Sequence, residues 1–303
     1  MRRTRRRMSP SRCTRALALA ALLALGPALA ACAPPVTVAT FNIRMFPEPT
    51  TDRGRVAEQL VQLDASVIAV QEIRDARALG LVLEDASRHG GRDYQLLIGP
   101  CGGDDGEHIT TGVVIDASTW RVLEHVGYPD LRPDGTCGVR QPGTLAVLED
   151  RAGRRLGVLS VHLRPFPDNF HVRREQWADL LARLDEIERR YDAPVLALGD
   201  FNSTGFRGEP EQERPFVEDT VGRAGYRLPT GALACTEYWR PRDDPGPYRP
   251  SILDHAVATR GEWQAEVRGM CERLACAPTD PEAMDQDFFR VSDHCPVVLR
   301  GRL

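Results

Sequence analysis

Apolar residues along this chain fall into short runs, and several of the runs end abruptly in polar residues. Residues 36–41, 65–70 and 194–198 are apolar or β-branched almost without interruption. Uninterrupted runs of this length are typical of strands that are covered on both faces. Further runs predict strands at residues 94–98, 111–115, 120–126, 144–148, 156–163, 236–239, 252–258, 262–267 and 296–299.

Helical spacing of apolar residues predicts helices at residues 55–63, 76–88 and 172–191. The third is the clearest, because arginine and glutamate cover one face while apolar residues form a stripe on the other. This stripe consists of Trp177, Leu180, Leu181, Leu184, Ile187 and Tyr191. His171 and Arg173, near the start of this helix, are predicted to be surface residues. Many strands with few helices predict an α/β fold of two sheets packed face to face, with helices outside.

Residues 1–31 are predicted to be a lipoprotein-type signal peptide, because a basic segment precedes a short apolar one. The segment ends in Leu29-Ala-Ala-Cys32, which resembles a bacterial lipobox, a motif whose cysteine is lipidated. Cys32 would carry the anchor, residues 32–35 would form a short tether, and residues 36–303 one domain. The alternative is an ordinary cleavage site beside an incidental cysteine, and the protein would then be secreted.

The predicted localisation is therefore a membrane-anchored lipoprotein of the bacterial periplasm or cell surface. After the leader, no stretch approaches the roughly 20 apolar residues that a membrane span needs. We therefore expect no transmembrane helix in the mature chain. We also expect a monomer.

The charge balance argues against a broad basic surface. The chain has no lysine, and its 39 basic residues are opposed by 43 acidic ones. Seven of the arginines lie in the leader, so the mature domain is more acidic than the whole chain. Such a balance is typical of a protein that gathers acids around a divalent cation rather than one that coats nucleic acid electrostatically.

Six cysteines follow Cys32, and an even number in an exported chain predicts disulfides. They are Cys101, Cys137, Cys235, Cys271, Cys276 and Cys295. A bond between Cys101 and Cys137 would clip a glycine-rich loop, and Cys235 has Cys271 or Cys276 as plausible partners. The spacing leaves the connectivity open. A zinc site at Cys271 and Cys276 is the weaker alternative, because a matching pair or nearby histidines are missing.

Polar residues of only three chemical kinds mark the ends of the apolar runs. They are Asn42, Glu72, His162, Asp200, Asn202, Asp254, Asp293 and His294. Each by itself is an ordinary residue for a turn. Together they supply carboxylates, carboxamides and imidazoles, a mixture that favours magnesium, manganese or calcium. Histidines beside such an ion move protons or stabilise phosphoryl charge.

The order of the motifs TFN, QEIRD, VHL, GDFN, LDH and SDH resembles the endonuclease/exonuclease/phosphatase superfamily across residues 36–303. The resemblance implies a four-layer α/β/β/α sandwich, in which two packed mixed β-sheets are flanked by helices. It also implies a hydrolase that acts on phosphoric ester bonds. The implied cofactor is Mg²⁺, with Mn²⁺ or Ca²⁺ as alternatives.

The resemblance also assigns roles to the acids and amides. Glu72 would be the main metal ligand, assisted by Asn42, with Asp293 near or on the metal. Asp200 would orient or deprotonate the attacking water. Asn202 would hold a phosphate oxygen.

Two histidines complete the implied catalytic set. His294 would contact the scissile phosphate and be positioned by Asp254, while His162 would act as an acid or phosphate donor. A pairing with histidine would also explain Asp254, because an acid inside an apolar strand is costly without a partner. His255 falls on the opposite face by strand alternation and is predicted to be structural.

Two arginines match positions where deoxyribonuclease-like members contact the phosphate backbone. They are Arg74 in QEIRD and Arg140 in GVRQPGTLAV, and both have a solvated surface charge as the alternative. The chain departs from the family pattern before residue 111, where many members carry a tyrosine. Glu107 and His108 are the candidate substitutes.

We therefore expect an exported, metal-dependent phosphodiesterase, and most closely a deoxyribonuclease-like endonuclease with nucleic acid as its substrate. The alternative is a lipid or small-molecule phosphodiesterase or phosphatase, similar to sphingomyelinases or inositol phosphatases. A non-catalytic binding lipoprotein is the third hypothesis. Tyr238 and Trp239 are predicted to pack in the core, with stacking on a base or ligand as the alternative.

Overall fold

The computed structural model describes residues 35–104, 108–131, 137, 143–207 and 213–303. The predicted leader, Cys32 and Arg140 lie outside the described residues, so their assignments stay predictions. Among the described residues, no helix combines the length and the apolar character that a membrane span requires.

The secondary structure consists mainly of strands, with two long helices and several shorter ones. The strands are β1 (Val36–Phe46), β2 (Val67–Ile73), β3 (Tyr94–Ile98), β4 (Thr110–Asp116), β5 (Trp120–Tyr128), β6 (Gly143–Asp150), β7 (Arg155–His162), β8 (Val195–Asp200), β9 (Glu237–Trp239), β10 (Arg249–Ser251), β11 (Asp254–Ala258), β12 (Trp263–Val267) and β13 (Val297–Gly301). The helices are α1 (Arg53–Gln62), α2 (Ala76–Gly90), α3 (Phe170–Tyr191), α4 (Glu213–Arg223), α5 (Met270–Arg273) and α6 (Gln286–Arg290).

Two mixed sheets form the centre of the molecule. The first has six strands in the order β12-β13-β1-β2-β4-β3, and the second has five in the order β11-β8-β7-β6-β5. In each sheet one central pair is parallel, β1 with β2 and β7 with β8, while the other neighbours are antiparallel. A third, two-stranded sheet joins β9 to β10.

Three apolar layers hold these elements together. The inner faces of the two large sheets meet in one layer, which includes Val38, Val158 and Leu198. The outer face of the first sheet packs against α1 and α2. The outer face of the second packs against α3 and α4, with Trp177 of α3 fully buried. Because both faces of each sheet are covered, the continuous apolar runs are explained, and the predicted four-layer sandwich is confirmed.

The first two helices begin at capping residues that the sequence shows. Asp52 accepts a hydrogen bond from the Arg55 amide, and Asp75 accepts one from the Ala78 amide. Both side chains satisfy amide groups that the first turn of a helix leaves without an intrahelical acceptor. α2 ends at Gly91, whose φ of 70° lies in the left-handed region.

All six described cysteines form disulfides, so the zinc alternative is excluded for Cys271 and Cys276. The bonds join Cys101 to Cys137, Cys235 to Cys276, and Cys271 to Cys295. The first confirms the predicted clip, and the second confirms one of the two partners proposed for Cys235. The last two tie α5 and the segment before β13 to the start of β9 through a small buried cluster.

Candidate active site

The strand register places residues that are distant in sequence side by side. His162 pairs with Asp200 across β7 and β8, and Asp254 pairs with Asp200 across β11 and β8. On the other sheet, Asn42 pairs with Gln71, the residue before Glu72. These strand ends meet at one edge of the sandwich. The topology therefore converts the polar ends of the apolar runs into one cluster.

Asn42 connects the acids of the two sheets. Its side-chain Nδ2 donates to Glu72 Oε1 and to Asp200 Oδ2, at 3.1 Å in each case. The Met45 amide donates to the other Glu72 oxygen at 2.8 Å. The Arg44 amide donates to Asn42 Oδ1 at 3.0 Å, so every polar atom of the Asn42 side chain is engaged. In this arrangement the amide bridges Glu72 and Asp200, and its role as a metal ligand stays a prediction.

Two histidines face the same carboxylate. His162 Nε2 lies 3.5 Å from Asp200 Oδ2, and His294 Nε2 lies 3.8 Å from that oxygen. His162 Nε2 is also 3.9 Å from Glu72 Oε1. His162, Asp200 and His294 are all buried.

Asp254 holds His294 from behind. Its Oδ2 lies 2.9 Å from His294 Nδ1, and both side chains are almost completely buried. The Asp254 amide is held in turn by Thr236 Oγ1 at 3.0 Å. With Nδ1 on Asp254, the other ring nitrogen of His294, Nε2, faces Asp200. The positioning role of Asp254 stays a prediction.

The pKa values of Glu72 and Asp200 are shifted in opposite directions. Burial alone would raise the pKa of Glu72, but His162 and His294, together with the bonds from Asn42 and Met45, bring it below its usual range. Burial raises the pKa of Asp200, and the two histidines oppose this effect only in part. Glu72 is therefore the stronger anion, and Asp200 the better proton acceptor.

His294 is held as a cation. Burial by itself would lower the pKa of His294, but Asp254 and Asp200 raise it well above its usual value. Burial raises the pKa of Asp293, against the effect of His294 and Arg44. A protonated imidazole next to the acid cluster can donate to a phosphate oxygen.

The GDFN segment requires its glycine. Gly199 has a φ of 151°, and a Cβ at this position would lie 1.9 Å from the Val161 carbonyl oxygen. Only a residue without a side chain lets β7 and β8 approach so closely here. The chain turns after β8. The backbone amide of Asn202 donates to Asp200 Oδ1 at 2.8 Å, and its side-chain Nδ2 donates to the Leu163 carbonyl at 3.0 Å.

The residues at the centre of the cluster fit a divalent cation. Ligand atoms of Glu72, His162 and Asp200 lie within 4.8 Å of one another. Carboxylate oxygens are the donors that hard cations prefer, and one ionised carboxylate with retained water is the usual arrangement for magnesium. Asp293 lies near enough for Glu72 to raise its pKa, so it belongs to the same acidic neighbourhood.

The cluster lies in an open cleft of about 750 Å³, whose other walls are mainly apolar. The apolar lining consists of Met45, Ile109, Pro165, Phe166, Pro167, Phe206, Trp239, Ile252 and Leu253.

Of the substitutes considered for the missing tyrosine, His108 lines the cleft, while Glu107 lies outside the described residues. Trp239 lines the cleft as well, whereas Tyr238 is buried and donates to the Ala277 carbonyl. Core packing is thus correct for Tyr238 only.

Arg74 does not belong to this lining within the described part of the chain. It follows β2, is half-buried, and its Nε is buried without a hydrogen-bond partner. Its predicted contact with phosphate stays a prediction.

Sequence reasoning missed one acid and misplaced one arginine. Glu237 lines the cleft, accepts from Ser251 Oγ at 2.8 Å, and burial raises its pKa to about 8. The only sequence signal was an acid within the short run of β9.

Arg173 was predicted to lie at the surface, and this was wrong, because its side chain is fully buried against Glu213. His255, predicted to be structural, packs between Phe201 and Phe206.

The sequence of the chain matches a known protein family. Residues 39–294 match the profile of the Endonuclease/Exonuclease/phosphatase family. The match covers most of the chain and includes all eight polar residues that the sequence places at the ends of the apolar runs, from Asn42 to His294. The chain belongs to this family. No curated protein sequence matches the chain.

Several solved structures of the family share the fold at low sequence identity. An endonuclease/exonuclease/phosphatase from Bacteroides vulgatus is 17% identical, with a TM-score of 0.62, covering 89% of this chain and 99% of that one. D. rerio TDP2 complexed with single strand DNA product is 15% identical, with a TM-score of 0.61 and the same coverage. A Bacteroides thetaiotaomicron mannosyl-6-phosphatase is 16% identical, with a TM-score of 0.58, covering 88% of this chain and 100% of that one.

As a member of the endonuclease/exonuclease/phosphatase family, the protein is a hydrolase that acts on phosphoric ester bonds. Enzymes of this family depend on a divalent metal, and the Glu72, His162 and Asp200 group is a site that can hold one. The neighbours include both a protein bound to a DNA product and a sugar phosphatase, so family membership leaves the substrate open.

Proposed function

We propose that the protein is an exported, Mg²⁺-dependent phosphodiesterase that hydrolyses nucleic acid as a deoxyribonuclease-like endonuclease. The observation that carries this proposal is the placement of Asp200. Burial raises the pKa of its carboxyl group. The carboxylate lies within 4 Å of the imidazoles of His162 and His294, and Asn42 bridges it to Glu72. A proton acceptor (Asp200), two proton donors (His162 and His294) and a carboxylate that can bind a cation (Glu72) therefore lie within a few ångströms of one another.

The chain's own groups divide the work of hydrolysis. Asp200 accepts the proton of the attacking water, since it is the acid with the higher affinity for a proton. His294, kept protonated by Asp254, donates to a non-bridging phosphate oxygen, where negative charge grows. His162 donates to a second oxygen or to the leaving group, and Asn202 orients the phosphate. A Mg²⁺ held by Glu72, with Asp293 and Asn42, would act as a Lewis acid on the phosphate.

Two features support nucleic acid as the substrate. The cleft of about 750 Å³ is open to solvent, so it is accessible to a phosphate within a longer chain. A protein of the same fold was crystallised with a single-stranded DNA product. Arg74 and Arg140, at positions where deoxyribonuclease-like members contact the backbone, would add contacts that do not depend on base sequence.

The proposal of export rests on the leader and on the cysteines. All six described cysteines are paired, and stable disulfides form in oxidising compartments. We propose that lipidation of Cys32 holds the protein at a membrane surface, as a monomer. Mass spectrometry of the mature N-terminus tests this, because an unmodified N-terminus after Cys32 would contradict it.

A second candidate function is supported by the apolar walls of the cleft. These walls, together with a membrane anchor, favour a lipid or small-molecule phosphodiester or phosphate ester. A non-catalytic role is disfavoured, because the His294–Asp254 pair and the acid cluster are complete. A binding surface alone would not need a buried pair of this cost.

The deciding experiment compares substrates under one set of conditions. Supercoiled plasmid, sphingomyelin and a phosphorylated inositol are incubated with the mature chain in Mg²⁺, beside the variants Glu72→Gln and His294→Ala. We expect the wild type to nick the plasmid, both variants to lose activity at least a hundredfold, and the surface variant Glu58→Gln to retain it. If the plasmid stays supercoiled at high enzyme concentration while sphingomyelin is hydrolysed, the nuclease proposal is wrong and the second candidate stands.

A further inference from the structure

One arginine lines the catalytic cleft. Of the residues that the structure describes, Arg207 is the only arginine that borders the cavity shared by His162, Asp200 and His294. Its hydrogen bonds go to main-chain carbonyls, and no acidic side chain among the described residues pairs with its guanidinium. An arginine stays charged at neutral pH, and a cationic group in a cleft attracts an anionic part of a ligand.

Two carbonyl groups hold this guanidinium in place. Arg207 Nη1 donates to the Ala234 carbonyl, and Nη2 donates to the Cys276 carbonyl at 2.8 Å. The disulfide between Cys235 and Cys276 joins the two segments that supply these carbonyls. Both hydrogen bonds together use only part of the donor capacity of a guanidinium, so further N–H groups are available to a ligand. A side chain that is already fixed loses little conformational entropy when a ligand binds.

The backbone before Arg207 is anchored as well. Residues 204–207 all line the cleft. Thr204 Oγ1 donates to Glu213 at 3.0 Å, and the buried Phe206 ring has its centroid 4.4 Å from that of the His255 ring. The segment therefore presents the arginine from a fixed backbone.

The same buried acid fixes the loop after β7, residues 164–167. Glu213 pairs with Arg173, whose side chain is fully buried. Arg173 Nη1 also donates to the Phe166 carbonyl at 2.8 Å. Two segments that border the cleft are thus tied to one ion pair, so the fold sets the space between Arg207 and this loop.

A guanidinium in this place fits a phosphate group other than the scissile one. In the proposed mechanism the scissile phosphate lies at Glu72, Asp200 and His294, and Arg207 makes no hydrogen bond to these residues. A guanidinium presents a planar fork of donors that matches the oxygens of a phosphate. The cleft of about 750 Å³ has the size of a site for a drug-sized molecule, so it has room beyond the scissile phosphate.

We propose that Arg207 binds a second phosphate of the substrate, next to the scissile one, and thereby favours substrates with neighbouring phosphates over an isolated phosphodiester. The inference rests on the proposed nuclease function and adds a specificity-determining residue to it. In nucleic acid the second phosphate belongs to the neighbouring nucleotide, and such a contact does not depend on base sequence. An inositol with neighbouring phosphates presents the same chemistry, and the test separates these two sources.

The test uses one oligonucleotide in three forms: the natural strand, and strands in which an uncharged methylphosphonate replaces the phosphate either 5′ or 3′ to one chosen linkage. Each form is offered as a single strand and as a duplex to the protein in Mg²⁺, and gel electrophoresis measures cleavage at the chosen linkage. We expect the wild type to cleave one of the two neutralised forms with a kcat/KM about tenfold lower than the natural form, the low end for hydrogen bonds to a charged group.

Substitution of Arg207 should remove this dependence on the neighbouring charge. Arg207→Gln should cleave the chosen linkage about equally in all three forms, at the rate of the wild type on its weaker neutralised form. Arg207→Lys should keep part of the preference, because the charge remains while the planar fork is lost. The control is Arg223→Gln in α4, since Arg223 is 80% exposed and pairs with Asp219 at the surface. Unchanged thermal unfolding of each variant shows that folding is intact.

Other results overturn the inference. Equal cleavage of the three forms by the wild type, an unchanged preference in Arg207→Gln, or an equal loss on all three forms in this variant would exclude the second phosphate site and leave the nuclease function intact.

If no oligonucleotide is cleaved in either form, the nuclease proposal is wrong, and an inositol monophosphate is compared with an inositol bisphosphate. A preference for the bisphosphate that disappears in Arg207→Gln would then support the second phosphate site without the nuclease. Equal hydrolysis of the two inositol phosphates, or hydrolysis of sphingomyelin alone, would overturn both proposals.

Discussion

Single residues in the cleft are governed by their buried partners more than by their own chemistry. Burial would lower the pKa of His294, but Asp254 and Asp200 raise it well above its usual value and favour the charged imidazole. His255 follows Asp254 in β11, and burial lowers its pKa to about 3. The buried environment therefore favours a charged imidazole at His294 and a neutral one at His255.

Replacing Asp254 by asparagine is expected to shift the pH dependence of catalysis. The removal of the carboxylate lowers the pKa of His294, so that the protonated form disappears at a lower pH. The alkaline limb of the kcat/KM profile should move to lower pH, and the activity at pH 8 should fall by about a hundredfold. The profile of activity against pH measures this, with NMR titration of the imidazole as an independent readout. Superimposable profiles for Asp254→Asn and wild type would contradict the positioning role.

His255 is expected to make the fold less stable in acid. Its pKa is about 3 in the folded state and near 6.5 when unfolded, so the unfolded chain binds the extra proton as the pH falls below 6.5. Its contribution to stability is complete above pH 6.5 and is lost toward pH 3. The free energy of unfolding of the wild type, relative to His255→Gln, should fall by about 1.4 kcal/mol per pH unit between pH 6 and pH 4. Urea unfolding at several pH values provides the measurement, and parallel pH curves for the two proteins would refute the assignment.

At the scale of elements, one ion pair joins α3, α4 and the loop of Phe166. Arg173 and Glu213 bind each other, and Thr204 Oγ1 also donates to Glu213 at 3.0 Å. This pair lies next to two segments that line the cleft, residues 165–167 in the loop of Phe166 and residues 204–207. Helix α3 thus supports the walls of the cleft, although it carries none of the candidate site residues.

Replacing Arg173 by methionine is expected to lower the free energy of unfolding by about 3–5 kcal/mol, because Glu213 would keep a buried charge without its partner. Arg189→Met on the same helix is the control. Arg189 is 70% exposed and pairs with Asp185 at the surface, where ion pairs contribute little. Denaturant unfolding compares the variants. The double variant Arg173→Met/Glu213→Leu should recover most of the loss, and a failure to recover would show that the cost arises from packing instead.

At the scale of the whole molecule, the two sheets contribute different parts of one site. The first sheet carries Asn42 and Glu72, and the second carries His162, Asp200 and Asp254. Asn42 spans the boundary by donating to an acid of each sheet. A cation at this boundary would bind only the folded sandwich, because the unfolded chain separates its ligands.

Mg²⁺ is therefore expected to stabilise the fold. A concentration a hundredfold above its dissociation constant stabilises by about 2.7 kcal/mol, which raises the unfolding temperature by several degrees in a chain of this size. Differential scanning fluorimetry of the protein with and without Mg²⁺ measures the shift. Glu72→Gln should abolish it, while Glu58→Gln should not. An equal shift in all three proteins would indicate that the cation binds elsewhere.

Many elements of the fold could be predicted from local pattern. α3 begins at Phe170, two residues before the prediction, and ends at Tyr191 as expected, because its apolar stripe is long and regular. α4 was not predicted, since only Val217 and Val221 among its apolar residues are fully buried and the pattern is too sparse. Arg173 was misjudged for a related reason. Spacing along a helix shows which residues share a face, but it does not show that another element will cover that face.

Local pattern was enough to predict the kinds of residue that end each apolar run, most of the strands, the main helices and the order of the motifs that mark the family. It was enough because strand burial and helix periodicity act over a few neighbouring residues. The short strand β10 was not predicted. Only the tertiary structure decided that Asp200 would lie between two histidines, that Asp254 would charge His294 while His255 stays neutral, and that Arg173 would support the loop of Phe166. These outcomes depend on strand register and on burial between elements that are not neighbours in the sequence, and electrostatic interactions at a few ångströms exist only once those elements have packed.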